Sequence, residues 1–166
     1  MRGFRNILSR RTGRLAADVS AEAVRLLGLA DGRVATAVSV PAEGNVGTTA
    51  ALRSAVRAAG LRGNECRVTL PSRLFRMETA NMPPMSEPER ARSANFEAMD
   101  RFGLNPESSI VRHAVLGEDA REVLLMAADT DVLARELEPL IACGLLPCSV
   151  EPASWPPWSF PASPAR

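Results

Sequence analysis

LAADVSAEAVRLLGLADGRVATAVSV, Leu15 to Val40, reads as three consecutive strands, and that reading decides the fold. Leu15 to Val19 is a short apolar run with Asp18 inside it. Ala23 to Leu29 is a second, with Val24, Leu26, Leu27 and Leu29 as its larger members. Asp31-Gly32 then punctuates, and Val34 to Val40 follows, enriched in Val and Thr until Pro41 stops it. Asp-Gly between two apolar runs is a hairpin signal, because both residues tolerate the positive φ of a tight primed turn.

Working outward, Asn45 to Leu61 is predicted helical. Leu52, Ala55, Val56 and Ala59 recur at i, i+3, i+4 and i+7, with Gly60 placed as a C-terminal cap. Cys66, Val68 and Leu70 alternate into a strand ended by Pro71, and Leu74 to Thr79 reads as a further strand before the Met82-Pro83-Pro84-Met85 break. Ser86 and Glu89 form a capping box, with Pro88 tolerated in the first turn. Ala91, Ala94, Ala98, Met99 and Phe102 make the apolar side of that helix, and Gly103 ends it. Ile110 to Leu116 and Val123 to Ala127 follow as strands around a Gly117-Glu118-Asp119 turn. A last helix is predicted over Thr130 to Ile141, with Val132, Leu133, Leu137, Leu140 and Ile141 apolar and Thr130 or Asp131 as the cap. Gly144 closes it, and Ser149-Val150 begins a final strand. The fold class expected is mixed α+β, mostly antiparallel hairpins plus three helices.

Composition sets the outer bounds. Hydrophobic residues make up 46% of the 166 and charged residues 23%, a globular balance, and a net charge of +1 gives no reason to expect nucleic acid as partner. All 20 basic residues are Arg, the usage of a GC-rich genome. Aromatics are only 4%, so the core must be built from Leu, Val, Ala and Met. Cys66, Cys143 and Cys148 are widely spaced and His113 is the only histidine, which does not make a zinc ligand set. No apolar run is long enough to span a membrane, and no apolar core of a secretory signal follows the basic start. Met1 to Arg14 carries Arg2, Arg5, Arg10, Arg11 and Arg14 with no acid, interleaved with Phe4, Ile7 and Leu8. Three readings stand for it: a frayed tail, a weak contact with anionic lipid, and an organellar transit peptide, which fits least because the pattern is short.

Few residues carry catalytic potential. His113 lies in a predicted strand without Ser or Cys at a spacing that suggests a triad. Asp129 and Asp131 stand where a helix start stabilises negative charge, so capping accounts for them better than catalysis. Cys66 needs an adjacent base to be a nucleophile and reads more simply as a buried thiol. Met77, Met82 and Met85 flank the double proline, where core filling competes with an adaptable binding surface. Beyond Pro152 the chain is rich in proline and includes Trp155 and Trp158, and is taken as a disordered tail that either docks on a partner or follows a lost domain.

At this point the chain resembles the N-terminal half of PilM-like, actin-like proteins of type IV pilus and type II secretion assembly. The likeness runs through DVSAEAVRLLGL (Asp18 to Leu29), VTLPSRLFRMETANMPPMSEPE (Val68 to Glu89), FEAMDRFGLNPESSIVRHAVLG (Phe96 to Gly117) and EVLLMAADTDVLARELEPLIACGLLPCSVEP (Glu122 to Pro152). It covers Ile7 to Pro152. It implies the first lobe of the actin-like ATPase fold over 15–151, with a second small subdomain inserted around 68–128, a basic tail at 1–14 and the Pro/Trp-rich segment at 152–166.

The resemblance also implies a function. Asp18 matches the acid of the family's first phosphate loop, but Ser20 stands where glycine is expected and Glu22 replaces a small hydroxyl residue. A carboxylate aimed at a phosphate repels it, and side chains in place of glycine keep backbone N–H groups away. The expectation is therefore a non-catalytic cytoplasmic scaffold, peripheral to the inner membrane, with no cofactor and no metal. Its partner is the cytoplasmic tail of a PilN-like inner-membrane protein, bound as an extended peptide through Met77, Met82, Met85, Ile110, Arg112 and Val115. Loss of a second lobe would leave apolar surface that drives either self-association or a constitutive partnership. The alternative is half of a split actin-like ATPase, with nucleotide at Asp18 and Ser20. An Arg-mediated nucleic-acid binder is the weakest reading, since charge is balanced outside the first 14 residues.

Overall fold

The computed structural model describes residues 14–30, 33–61, 63–117 and 121–154. The element order is β1 (Arg14–Val19), β2 (Ala23–Ala30), β3 (Arg33–Pro41), α1 (Gly44–Ala58), β4 (Glu65–Leu70), β5 (Arg76–Asn81), α2 (Glu87–Phe102), β6 (Ser109–Leu116), β7 (Glu122–Asp129), α3 (Thr130–Ala142) and β8 (Leu146–Pro152), with a single 3-10 turn at Ser72–Leu74. The mixed α+β class, the three helices and the three opening strands stand as expected. The basic arginines before Arg14, the Asp31-Gly32 tip, Glu118, Asp119, Trp155 and Trp158 lie outside the described residues, as does the side chain of Arg14.

Two compact units share the chain: Met1–Ser72 together with Glu136–Arg166, and the inserted Arg73–Arg135. The insertion starts a few residues later than the predicted 68 and ends inside α3. That helix carries Pro139, which sequence periodicity passed over. Proline has no N–H to give the carbonyl four residues back, so the Arg135 carbonyl lacks its regular helical donor at the boundary of the units.

The first unit is a five-stranded sheet in the order β3-β2-β1-β4-β8. The β1-β2 and β2-β3 pairs are the expected antiparallel hairpins, with Ala30 opposite Arg33 across the tip. The β1-β4 and β4-β8 pairs are parallel, so the sheet is mixed rather than a set of hairpins. Alternation places Leu15, Ala17, Val19, Val24, Leu26, Cys66, Val68 and Leu70 inside. Helix α1 buries Leu52 and Val56 from the predicted stripe, and α3 buries Leu140 while leaving Ile141 exposed. Thr48, the one buried polar residue of the described core, accepts a hydrogen bond from the Glu43 N–H (2.9 Å) and donates to the Pro41 carbonyl (3.4 Å), which ties the start of α1 to the end of β3.

The second unit is a three-stranded antiparallel sheet, β5-β7-β6, with α2 packed on one face. Its core is Ala80, Met82, Ala94, Ala98, Val123 and Leu125, flanked by Met85, Phe102 and Val111. Ala94 and Ala98 let the helix lie close to the strands. Ala91, assigned to the apolar side from sequence, is exposed, and so is Phe96.

The caps of this unit follow the chemistry of their residues. The Glu89 carboxylate accepts from the Ser86 N–H at 3.0 Å and the Ser86 hydroxyl at 2.6 Å. Gly103 ends α2 at φ 57°, a conformation that costs glycine little. At α3 the cap is Asp129, whose Oδ1 accepts from the Asp131 and Val132 N–H groups. Thr130, expected as a capping residue, instead gives its hydroxyl to the Ser108 carbonyl.

The Ser86 hydrogen bonds hold the Glu89 carboxyl below its ordinary range. A carboxylate favoured in the folded state contributes stability above its unfolded pKa, and that contribution is lost as pH falls through the folded value. Ser86→Ala is therefore expected to lower unfolding stability in urea at pH 7 by about 1 kcal/mol, with the difference from the parent shrinking as the acid range is entered.

Candidate functional site

The β1-β2 turn is where the resemblance places a phosphate loop. Here it closes on itself. The Ser20 N–H donates to the Ala23 carbonyl at 3.0 Å, and the Ser20 hydroxyl donates to the same carbonyl at 2.9 Å while accepting from the Ala23 N–H at 3.2 Å. Two of the turn's backbone donors and its hydroxyl are thus committed. The Asp18 carboxylate pairs with Arg25 on the neighbouring strand at 3.0 Å, with both side chains about half exposed. Such a pair is worth under about 1 kcal/mol.

Asp18 and Arg25 belong to a shallow depression of about 530 Å³ on the outer face of the first sheet. The register puts Ala16, Leu27 and Ala37 side by side as its apolar part, and Asp18, Arg25, Ser39 and Thr69 as its polar part. The sequence reading named only Asp18 here. The signal for the others was present in the strand parity, since Arg25 and Leu27 alternate with the buried Val24 and Leu26.

The second surface is the face of β5-β7-β6 turned away from α2. Pairing sets Met77 opposite Met126, and Met126 opposite Arg112. Ile110 lies on the same face opposite Ala128, 41% exposed. Met77 on β5 and Ile110 and Arg112 on β6 therefore share one face of the sheet, on its two outer strands, with Met126 of β7 between them. The other three named residues do not share it. Met82 is 7% exposed inside the α2 core, Met85 packs against that core, and Val115 sits opposite Val123 on the α2 side. Sequence reasoning missed Met126, which the strand parity of β7 carries to this face.

The remaining chemical candidates resolve into structural roles. His113 faces α2 with Nε2 3.0 Å from Glu87 Oε1, and Glu87 also pairs with Arg90 at 2.7 Å. Among the described residues no cluster of His, Cys, Asp and Glu is arranged to hold a metal ion, and no helix is long and apolar enough to cross a membrane. Cys66 is buried, and that burial, with the nearby Cys148 adding to it, pushes its thiol up to about 11. Cys143 is raised by burial too. Cys148 is exposed, its Sγ 3.3 Å from the Cys66 carbonyl oxygen.

With the geometry in place, the comparisons are informative about fold. No protein-family model matches the sequence, and no curated protein matches it by sequence. Among solved structures, the chain is similar to one of the PilM-PilN type IV pilus biogenesis complex, with TM-score 0.70 and 19% identity over 85% of this chain and 47% of that one. It is also similar to the cytoplasmic domain of EpsL, an inner-membrane component of the type II secretion system of Vibrio cholerae, with TM-score 0.62 and 18% identity over 85% of this chain and 57% of that one. A Bacteroides thetaiotaomicron protein with an actin-like ATPase fold and unknown function overlaps at TM-score 0.41 and 13% identity over 89% of this chain and 55% of that one. The chain thus has a PilM-like fold and spans about half the length of the solved chains it matches.

The state of the cysteines gives a direct check on these assignments. In the native protein at pH 8, an aromatic disulfide reagent is expected to label Cys148 quickly while Cys66 and Cys143 stay protected. All three should react once the chain is unfolded. Fast labelling of Cys66 in the native state would contradict its placement in the core.

Proposed function

We propose that this chain is a non-catalytic scaffold of a type IV pilus or type II secretion inner-membrane assembly, binding a short extended peptide from a membrane partner. The observation that carries the reading is the sheet face made by Met77, Met126, Ile110 and Arg112, which ends at Ile110 and Arg112 on the edge strand β6. An extended peptide can add a strand to such an edge, taking main-chain hydrogen bonds from the backbone and seating alternate side chains against Ile110 and Arg112. The PilM-like fold supports this, since one matching structure is itself described as a complex of PilM with PilN. A PilN-like cytoplasmic tail is the partner class proposed, which makes the chain a cytoplasm-side protein. The five arginines up to Arg14 would add attraction to an anionic inner leaflet.

A second reading keeps nucleotide in view because Asp18 does line a depression large enough for a small molecule. In that case a separately encoded second lobe would complete a split ATPase. Against it stand the self-bonded Ser20 turn, the Asp18–Arg25 pair and the exposed Glu22 carboxylate. Hydrolysis by this chain is not part of the proposal.

Calorimetric titration separates the two. A synthetic N-terminal peptide of a PilN-like protein is expected to bind with heat, and ATP-Mg to give none. Met77→Asp with Ile110→Asp should weaken the peptide by roughly tenfold or more, because charge would be placed against the apolar contact. Asp18→Ala should leave it unchanged. ATP binding abolished by Asp18→Ala would favour the split enzyme instead.

A further inference from the structure

Four strands of the described residues end a sheet, β3 and β8 in the first unit and β5 and β6 in the second. β8 contains Pro147 and Pro152 and an extra residue, Cys148, in its register with β4. β5 carries Arg76 and Glu78, and β6 is the edge proposed for the peptide. Charges, prolines and bulges are the devices by which natural sheets blunt their edges. β3 is different. From Val34 to Val40 it reads VATAVSV, without charge or proline, and its single irregularity falls near its start, between the Gly28–Thr36 and Leu29–Val34 pairs. Thr36 to Val40 is thus a regular, β-branched and uncharged edge, and Val34 beside it is 61% exposed.

We propose that β3 pairs antiparallel with β3 of a second copy of this chain, about a two-fold axis at Val38, joining the two five-stranded sheets edge to edge. The strand is complementary to itself in that register. Thr36 meets the partner's Val40 and Val38 meets the partner's Val38 on the inner face, so β-branched residues lie opposite one another. Ala37 meets the partner's Ser39 on the outer face, small against small. Arg33 at one end, brought one place inward by the extra residue Ala35, falls opposite the partner's Ala42 and next to Glu43, twice by symmetry. Neither Arg33 nor Glu43 forms an ion pair within the chain among the described residues, and the Glu43 side chain makes no capping bond to α1. This pairing uses a different unit and a different edge from the peptide surface, so the two associations are independent.

Light scattering coupled to size exclusion, run on the full chain from micromolar to millimolar concentration, reads the mass directly. The mass of two chains is expected at the upper end. Val38→Lys places like charges on the axis and should hold the chain at the mass of one, with far-UV circular dichroism showing the fold retained. Arg33→Glu, at an exposed position, should weaken association roughly tenfold, and adding Glu43→Arg should restore it. A single-chain mass at every concentration would overturn the proposal. So would a two-chain species indifferent to both Val38→Lys and Arg33→Glu.

Discussion

The parallel pairing of β8 with β4 is the contact on which the rest of this molecule depends. Between those strands the chain leaves the first sheet and builds the whole Arg73–Arg135 unit, entering α3 before it returns. Nothing local prepares that pairing, so it rests on burial and main-chain bonds. Leu145 and Leu140 are fully buried at the return, the Gly63 N–H reaches the Gly144 carbonyl, and Leu146 donates to Asn64. At the far end Ala153 donates to Leu70, and Ser72 and Ser154 bond through their hydroxyls at 2.8 Å. The closure entropy of a long excursion grows only slowly with its length, which is why a folded insertion between two paired strands is tolerated.

What was legible in the sequence was what short-range physics dictates. Gly60, Gly103, Pro41, Pro71 and the Ser86-Glu89 box mark element ends through φ preference, missing donors and side-chain capping, and each acts within a few residues. The parallel partners of β4 were not legible, because no nearby residue specifies which strand lies beside it. The candidate surface was half legible for a related reason. Arg76 to Asn81, RMETAN, has no apolar face of its own, so its phase could not be read until Ala80 was seen against Val123 and Met77 against Met126. The three methionines grouped by proximity in sequence are separated by the pleat and by the strand's end.

The same packing bears on chemistry. A phosphate cradle needs free backbone donors converging on one point. At the β1-β2 turn Ser20 spends its N–H and hydroxyl on Ala23, and Asp18 is matched by Arg25, so the electrostatics are already satisfied without a ligand. The second unit offers the opposite situation: a sheet face with adaptable methionines, and an exposed isoleucine and an arginine on an edge strand. Its fixed framework comes from the far side, where Arg101 bridges Glu97 and Glu78 and ties α2 to β5. Rigid backing with an adaptable front is the arrangement on which the proposed peptide reading rests.

The most direct test of that account is a residue-resolved titration of the isotopically labelled chain by heteronuclear NMR, first with ATP-Mg and then with the N-terminal peptide of a PilN-like protein. The account predicts that ATP leaves the amides of Asp18 to Ala23 unmoved, while the peptide shifts those of Met77, Ile110 to Arg112 and Met126. Shifts confined to Asp18 to Ala23 on adding ATP, with the β5-β7-β6 amides silent to the peptide, would contradict it.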